Sequence, residues 1–180
     1  VTRRVPLTQT VTQTGSVFGG IVWITVPTGA NLGNFNVTIE GALEAPCFQL
    51  GVDTDETWNS TLKHLPGAWG CIMTEDVPGY GNTPGFTVYV SRAKLQSLTS
   101  AEAVAQHWKN VLTTADDRMG YTAYRKRGES ALSDRDIVAG FGHAGWPVMM
   151  AYGDSDVLVN GVLRSGDWGF YHELGHTYQD

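Results

Sequence analysis

The segment Trp168-Gly169-Phe170-Tyr171-His172-Glu173-Leu174-Gly175-His176 constrains this chain more tightly than any other. It contains the pattern H-E-x-x-H, which becomes useful chemistry on a helix, where positions four apart lie one turn apart on the same face. Two neutral imidazoles so placed, His172 and His176, can meet one Zn²⁺ at about 2.0–2.1 Å each. Glu173 stands beside them and is not a ligand. Its role in such a pattern is general base toward the attacking water, then acid toward the leaving amine. With only 5 His in 180 residues, chance produces the pattern in about half a percent of such sequences, so it is read here as chemistry. The two inner residues, Leu174 and Gly175, are uncharged and aromatics precede the motif. The plain alternative is a helix with two surface or hydrogen-bonded histidines.

The rest of the chain has to supply a scaffold for that helix. A length of 180 residues permits one domain with a core or two small subdomains. The pattern predicts an α+β fold with a β-rich N-terminal part (1–75), followed by a mixed α/β part (76–180) that ends in the motif helix. In the first part, residues 21–26 form an apolar run that reads as a buried strand ended by Pro27. Phe35, Val37 and Ile39 alternate with Asn36, Thr38 and Glu40 as a half-buried strand. Residues 47–50 read as a further short strand, and 53–59 as an acidic loop or turn. In the second part, 86–90 read as a strand. Ser100 opens a helix that carries Val104, Trp108, Val111 and Leu112 on one face. Residues 121–124, 137–141, 148–150 and 157–159 are short strand-like or apolar pieces.

Composition narrows the function classes. The net charge is −6 and no basic block is present, which excludes the clustered Lys/Arg that a phosphate backbone needs. Arg125-Lys126-Arg127 is read as a solvated edge or loop. No apolar run approaches the roughly 20 residues of a membrane span. Charged residues are only 17% of the chain and Gly is 22 of 180, a weakly charged, turn-rich balance that suits a secreted or extracellular protein. Cys47 and Cys71 have no metal-ligand spacing and are either one disulfide or two buried thiols. Asn36-Val37-Thr38 and Asn59-Ser60-Thr61 are glycosylation acceptors. The start, Val1-Thr2-Arg3-Arg4, is followed by no apolar leader core, so a processed chain is expected.

Residues 166–179, from Gly166-Asp167-Trp168 through the histidines to Thr177-Tyr178-Gln179, resemble the enhancin-like, mucin-degrading zinc metallopeptidases of peptidase family M60. The family motif reads roughly W-G-x-x-H-E-[IL]-G-H-x-x-Q. Three more stretches are similar. Phe18-Gly19-Gly20-Ile21-Val22-Trp23-Ile24 resembles an early G-G-x-I-x-I strand. Pro66-Gly67-Ala68-Trp69-Gly70 resembles an A-P-W-x-E segment, with Cys71 where the family often has an acidic residue. Asp134-Arg135 and His143-Ala144-Gly145-Trp146-Pro147-Val148-Met149 resemble a D-R and H-[SA]-G-[YW]-P-[IVM]-M segment. The resemblance thus runs from about Phe18 to the last residue.

The resemblance implies a zincin-like catalytic fold of the gluzincin type, Zn²⁺ as cofactor and a mucin-type O-glycosylated glycoprotein as substrate. It also implies a third zinc ligand, a Glu on the helix after the motif. The sequence stops at Asp180, four residues past His176. A helix from His172 to Asp180 would span about 12 Å, too far for all three to converge on one ion. The expectation is therefore the N-terminal portion of a catalytic domain, or a nicked enzyme whose third ligand comes from a second chain. The rival reading is a catalytically silent glycan- or protein-binding fragment. Trp168, Tyr171 and His143 are candidate substrate-side residues. Asp154, Asp156 and Asn160 form a loose calcium-like pattern that lacks the Gly and the final Glu of such loops, and they are read as a solvated turn. His107 is read as a surface residue of its helix.

Overall fold

The computed structural model describes residues 5–15, 17, 19–26, 30–76, 84–120, 127–134, 137, 142–151, 157–164 and 166–179. Its organising feature is a mixed sheet of six strands: β1 (Cys47–Gln49), β2 (Trp69–Met73), β3 (Phe86–Ser91), β4 (Glu129–Asp134), β5 (Gly142–His143) and β6 (Val148–Ala151). Their spatial order is β1-β2-β3-β4-β6-β5. β1 pairs in parallel with β2, as β3 does with β4 and β4 with β6. β2 and β3 are antiparallel, as are β5 and β6. Parallel neighbours need crossover connections, and helices lie in the β1–β2 and β3–β4 connections, while the chain reaches β6 from β4 by way of β5.

Five α-helices and one short 3-10 turn (Leu62–His64) accompany the sheet in the described residues: α1 (Asp55–Ser60), α2 (Arg92–Gln96), α3 (Ala101–Met119), α4 (Val157–Val162) and α5 (Trp168–His176). The longest, α3, starts as its sequence predicts, because the Ser100 side chain accepts from the Ala103 N–H. It stops at Gly120, whose φ of 72° is the left-handed conformation that ends helices. Val104, Ala105, Trp108 and Leu112 recur at helical spacing and are buried against the sheet. The core joins them to Phe48, Ile72, Phe86, Val88, Val90, Ala131, Val148 and Met150 of the strands and to Phe170 and Leu174 of α5. At its centre Phe86 stacks on Trp108 at 4.9 Å, and Phe170 meets Trp108 edge-on at 5.0 Å.

The α+β class holds, but the first part of the chain is not as expected. Residues 21–26 and 35–39 form no strand, and the described residues before Cys47 belong to none. Val22, Trp23, Ile24, Val26, Phe35, Val37 and Ile39 are exposed, not buried. Strand formation needs a neighbour to satisfy the ladder, and alternation alone does not provide one. Contacts still tie this region down: Trp23 packs edge-on against Tyr89 of β3 at 5.6 Å, and the Glu44 and Pro46 carbonyls accept from the N–H groups of Gly67 and Cys71. The boundary drawn near residue 75 runs through the sheet, because β2 pairs with β3 along its whole length. Residues 55–60, read as a loop or turn, are the helix α1. Thr54 and Thr57 cap it reciprocally, with side chain to backbone bonds in both directions. The pieces at 121–124 and 138–141 lie outside the described residues, and Ile137 belongs to no element. Residues 157–162 form a helix where a short apolar piece was read.

Cys47 and Cys71 are a disulfide, which settles the open alternative. They are register partners on β1 and β2.

Candidate metal centre

The motif folds as a helix for local reasons. Asp167 adopts an extended conformation and its Oδ1 accepts from the Phe170 N–H at 3.1 Å, a side-chain cap on the first turn of α5. Phe170 and Leu174, four apart, are buried and fix which face is inward. His172 and His176 therefore share the outward side. Their Nε2 atoms stand 3.2 Å apart and their ring planes cross at 87°. Two ligands on a tetrahedral zinc at about 2.05 Å are separated by about 3.3 Å, so the pair is spaced as two ligands of one ion would be.

The proton on His176 is placed by its neighbour. Nδ1 lies 2.7 Å from the Oε1 of Gln179. A carbonyl oxygen only accepts, so Nδ1 carries the hydrogen and Nε2 keeps its lone pair for a metal. Trp168 is 79% exposed and stacks on the His172 ring at 5.1 Å with 25° between planes. Glu173 is half-buried and follows His172 directly in the helix.

Tyr171, a candidate substrate-side residue, is bound up in the scaffold. Its hydroxyl is 2.9 Å from Nε2 of His107 on α3, and its ring packs on Trp108 at 5.7 Å. Loss of solvation, and then the Asp167 carboxylate, raise its phenol above the ordinary value, so it keeps its proton. Seven residues further, just past the end of α5, the Tyr178 hydroxyl donates to Asp116 Oδ1 at 3.0 Å. α5 and the turn that follows it are thus each tied to α3 by a hydrogen bond.

His143 lies on β5, which packs against α5. It is exposed and its Nδ1 is 3.0 Å from the Ala144 carbonyl. Asn160 accepts from Lys94 Nζ, whereas Asp154, Asp156, Asp180, Arg125 and Lys126 lie outside the described residues. Arg127 sits over the Trp146 ring at 5.1 Å. Asn36 is exposed. The Nδ2 of Asn59, the atom a glycan would take, donates to the carbonyls of Asp55 and Thr99. Among the described residues no group of three or more His, Cys, Asp or Glu is clustered for a metal, so this structure brings together two of the three expected ligands.

Sequence reasoning gave Gln179, Asp167 and His107 no role at the site. Two had signals: Gln179 recurs in the motif, and Asp167 stands immediately before an apolar helical run. The partner of His107 is 64 residues away, and no local pattern points to it.

Residues 41–180 match the family described as peptidase M60, enhancin and enhancin-like. TRPM8 channel-associated factor 2 of Bos taurus is 29% identical over 181 residues, covering 99% of this chain and 19% of that protein. TRPM8 channel-associated factor 1 of Homo sapiens is 32% identical over 166 residues, 91% of this chain and 17% of that protein. The chain thus spans less than a fifth of the length of these relatives. The M60 catalytic domain of Clostridium perfringens ZmpC, solved in complex with the sialyl T antigen, is similar in fold. Its TM-score is 0.56 at 15% identity, covering 74% of this chain and 28% of that one.

Proposed function

The chain belongs to the peptidase M60, enhancin and enhancin-like family, and from that premise we propose that it is the part of a zinc-dependent endopeptidase that carries the metal-binding helix. Its fold is of the metallopeptidase type. The observation that carries the reading is the pair of Nε2 atoms at 3.2 Å on one helix, with Glu173 beside them.

His172 and His176 would hold the ion through Nε2. When bound, zinc lowers the pKa of a water and polarises the scissile carbonyl. Glu173 accepts the proton of the attacking water and later delivers it to the leaving amine nitrogen. Gln179 keeps His176 in the tautomer that can ligate. Phe170 and Leu174 hold the helix against the core. The third ligand is proposed to come from residues other than those described: a Glu on a following helix, or a second chain. The substrate we assign is a mucin-type O-glycosylated glycoprotein. The family resemblance supports it, and the similar fold solved with a sialylated glycan is consistent with it. A secreted or extracellular location is supported by the Cys47–Cys71 disulfide. No described helix is long and apolar enough to cross a membrane.

A second reading, a glycan- or protein-binding domain without turnover, is favoured by the names of the relatives, which describe association with a channel. Zinc stoichiometry together with a mucin-cleavage assay separates the two. Zinc bound by the protein, with cleavage abolished in Glu173→Gln and zinc retained, supports the peptidase. Zinc bound without any cleavage supports the silent domain, and no zinc at all overturns the metal centre.

A further inference from the structure

The metal-binding helix rests on the core along a narrow line. Phe170 and Leu174 are its buried residues. They lie four apart, one above the other, so they fix the position of α5 but resist its roll about that line poorly. Roll matters here. With a helix radius of about 5–6 Å including side chains, a 10° roll displaces a side-chain tip by about 1 Å. Metal sites tolerate about 0.2 Å.

Two ties to α3 act against roll: Tyr178 to Asp116 past the end of the helix, and within the helix, next to the first histidine, Tyr171 to His107. Tyr171 projects about 100° around the helix from Phe170, and its hydroxyl meets Nε2 of His107 at 2.9 Å. The His107 ring is itself set edge-on against buried Trp108 at 5.1 Å. Gly166, whose φ is 76°, lies close against the same end of the Tyr171 ring. A Cβ at Gly166 would stand 2.5–2.7 Å from the ring and hydroxyl of Tyr171, so only glycine leaves room for the tyrosine there. Tyr171 immediately precedes His172, so whatever fixes Tyr171 fixes the first ligand through one peptide unit.

We propose that His107 is a positioning residue of the metal centre, acting through the Tyr171 hydroxyl to set the roll of α5. This rests on the reading of His172 and His176 as zinc ligands. It concerns a residue outside the motif and on another helix.

The test is zinc affinity, by competition with a chromophoric chelator, for the unaltered protein, His107→Ala, His107→Gln, Tyr171→Phe and the double variant His107→Ala/Tyr171→Phe. Thermal unfolding of the metal-free proteins and the visible spectrum of the cobalt-substituted proteins are recorded in parallel. His107→Ala and Tyr171→Phe are each expected to weaken zinc about tenfold, with the double variant no worse than either single one. The Gln amide can reach where Nε2 stood, so His107→Gln is expected to restore most of the affinity and the cobalt spectrum. Affinities within twofold of the unaltered protein in both single variants overturn the proposal. So does a loss that follows metal-free unfolding temperature and is not rescued by Gln. If the unaltered protein itself binds no zinc, the metal centre fails and the positioning role falls with it, an outcome visible before any variant is compared.

Discussion

A histidine can offer a metal only the nitrogen that lacks a proton, so the small contacts behind the ligands decide whether the motif is a site. Gln179 does this for His176. Its Oε1 takes the Nδ1 hydrogen at 2.7 Å and leaves Nε2 facing the Nε2 of His172. Replacing it with an apolar residue frees the imidazole to change tautomer and to swing. Gln179→Leu is therefore expected to weaken zinc binding by about tenfold, and Gln179→Glu, which still accepts at the same place, to retain it. Chelator competition at neutral pH measures both, and equal affinities for Leu and Gln would show that something else fixes the ring. The two histidines and Glu173 were legible because the motif is written in a five-residue spacing. Gln179 was legible only as a letter of the same motif. His107 was not legible at all, since its tie to Tyr171 exists only once two helices 64 residues apart have packed.

At the scale of elements, the helices that announced themselves carry both a cap and an apolar face. α3 has Ser100 and the Val104–Trp108–Leu112 stripe. α5 has Asp167 and the Phe170–Leu174 pair. Where one signal was missing the reading failed. α1 has a reciprocal threonine cap but only one buried residue, Trp58, in six, so its polar sequence looked like a loop. Residues 21–26 have the apolar run and 35–39 the alternation of strands, but neither has a strand partner in the described residues, and pattern without a ladder is not a strand. The seating of α5 can be tested on the same logic. Asp167→Ala removes the cap and is expected to cost about 1 kcal/mol, with Asp167→Ser retaining it. Phe170→Ala empties a fully buried position packed edge-on against the stacked Phe86–Trp108 pair and is expected to cost about 3–5 kcal/mol. Urea unfolding of the metal-free protein gives both values. A Phe170→Ala cost near that of the cap variant would mean that the core collapses readily around α5.

The whole molecule is organised by one sheet with different tasks at its two edges. At one edge β1 is held to β2 by hydrogen bonds and by the Cys47–Cys71 disulfide. At the other, β5 lies against α5, the helix that carries His172 and His176. Five strand spacings separate the edges, about 24 Å. That layout was hidden from the sequence, because the order β1-β2-β3-β4-β6-β5 depends on which strands pair, and a division near residue 75 separated neighbours that hydrogen-bond along their length. It predicts that stability and metal binding can be changed independently. The disulfide joins residues 24 apart, and opening a loop of that size releases about 3.5 kcal/mol of chain entropy in the unfolded state. Replacing both cysteines by alanine should therefore lower the urea unfolding free energy by about that amount. The zinc affinity should stay within twofold, since sites so far apart with no shared contacts behave additively. A variant that loses affinity in step with stability would show that the sheet transmits strain from β1 to α5, and that the metal centre depends on the far edge of the fold.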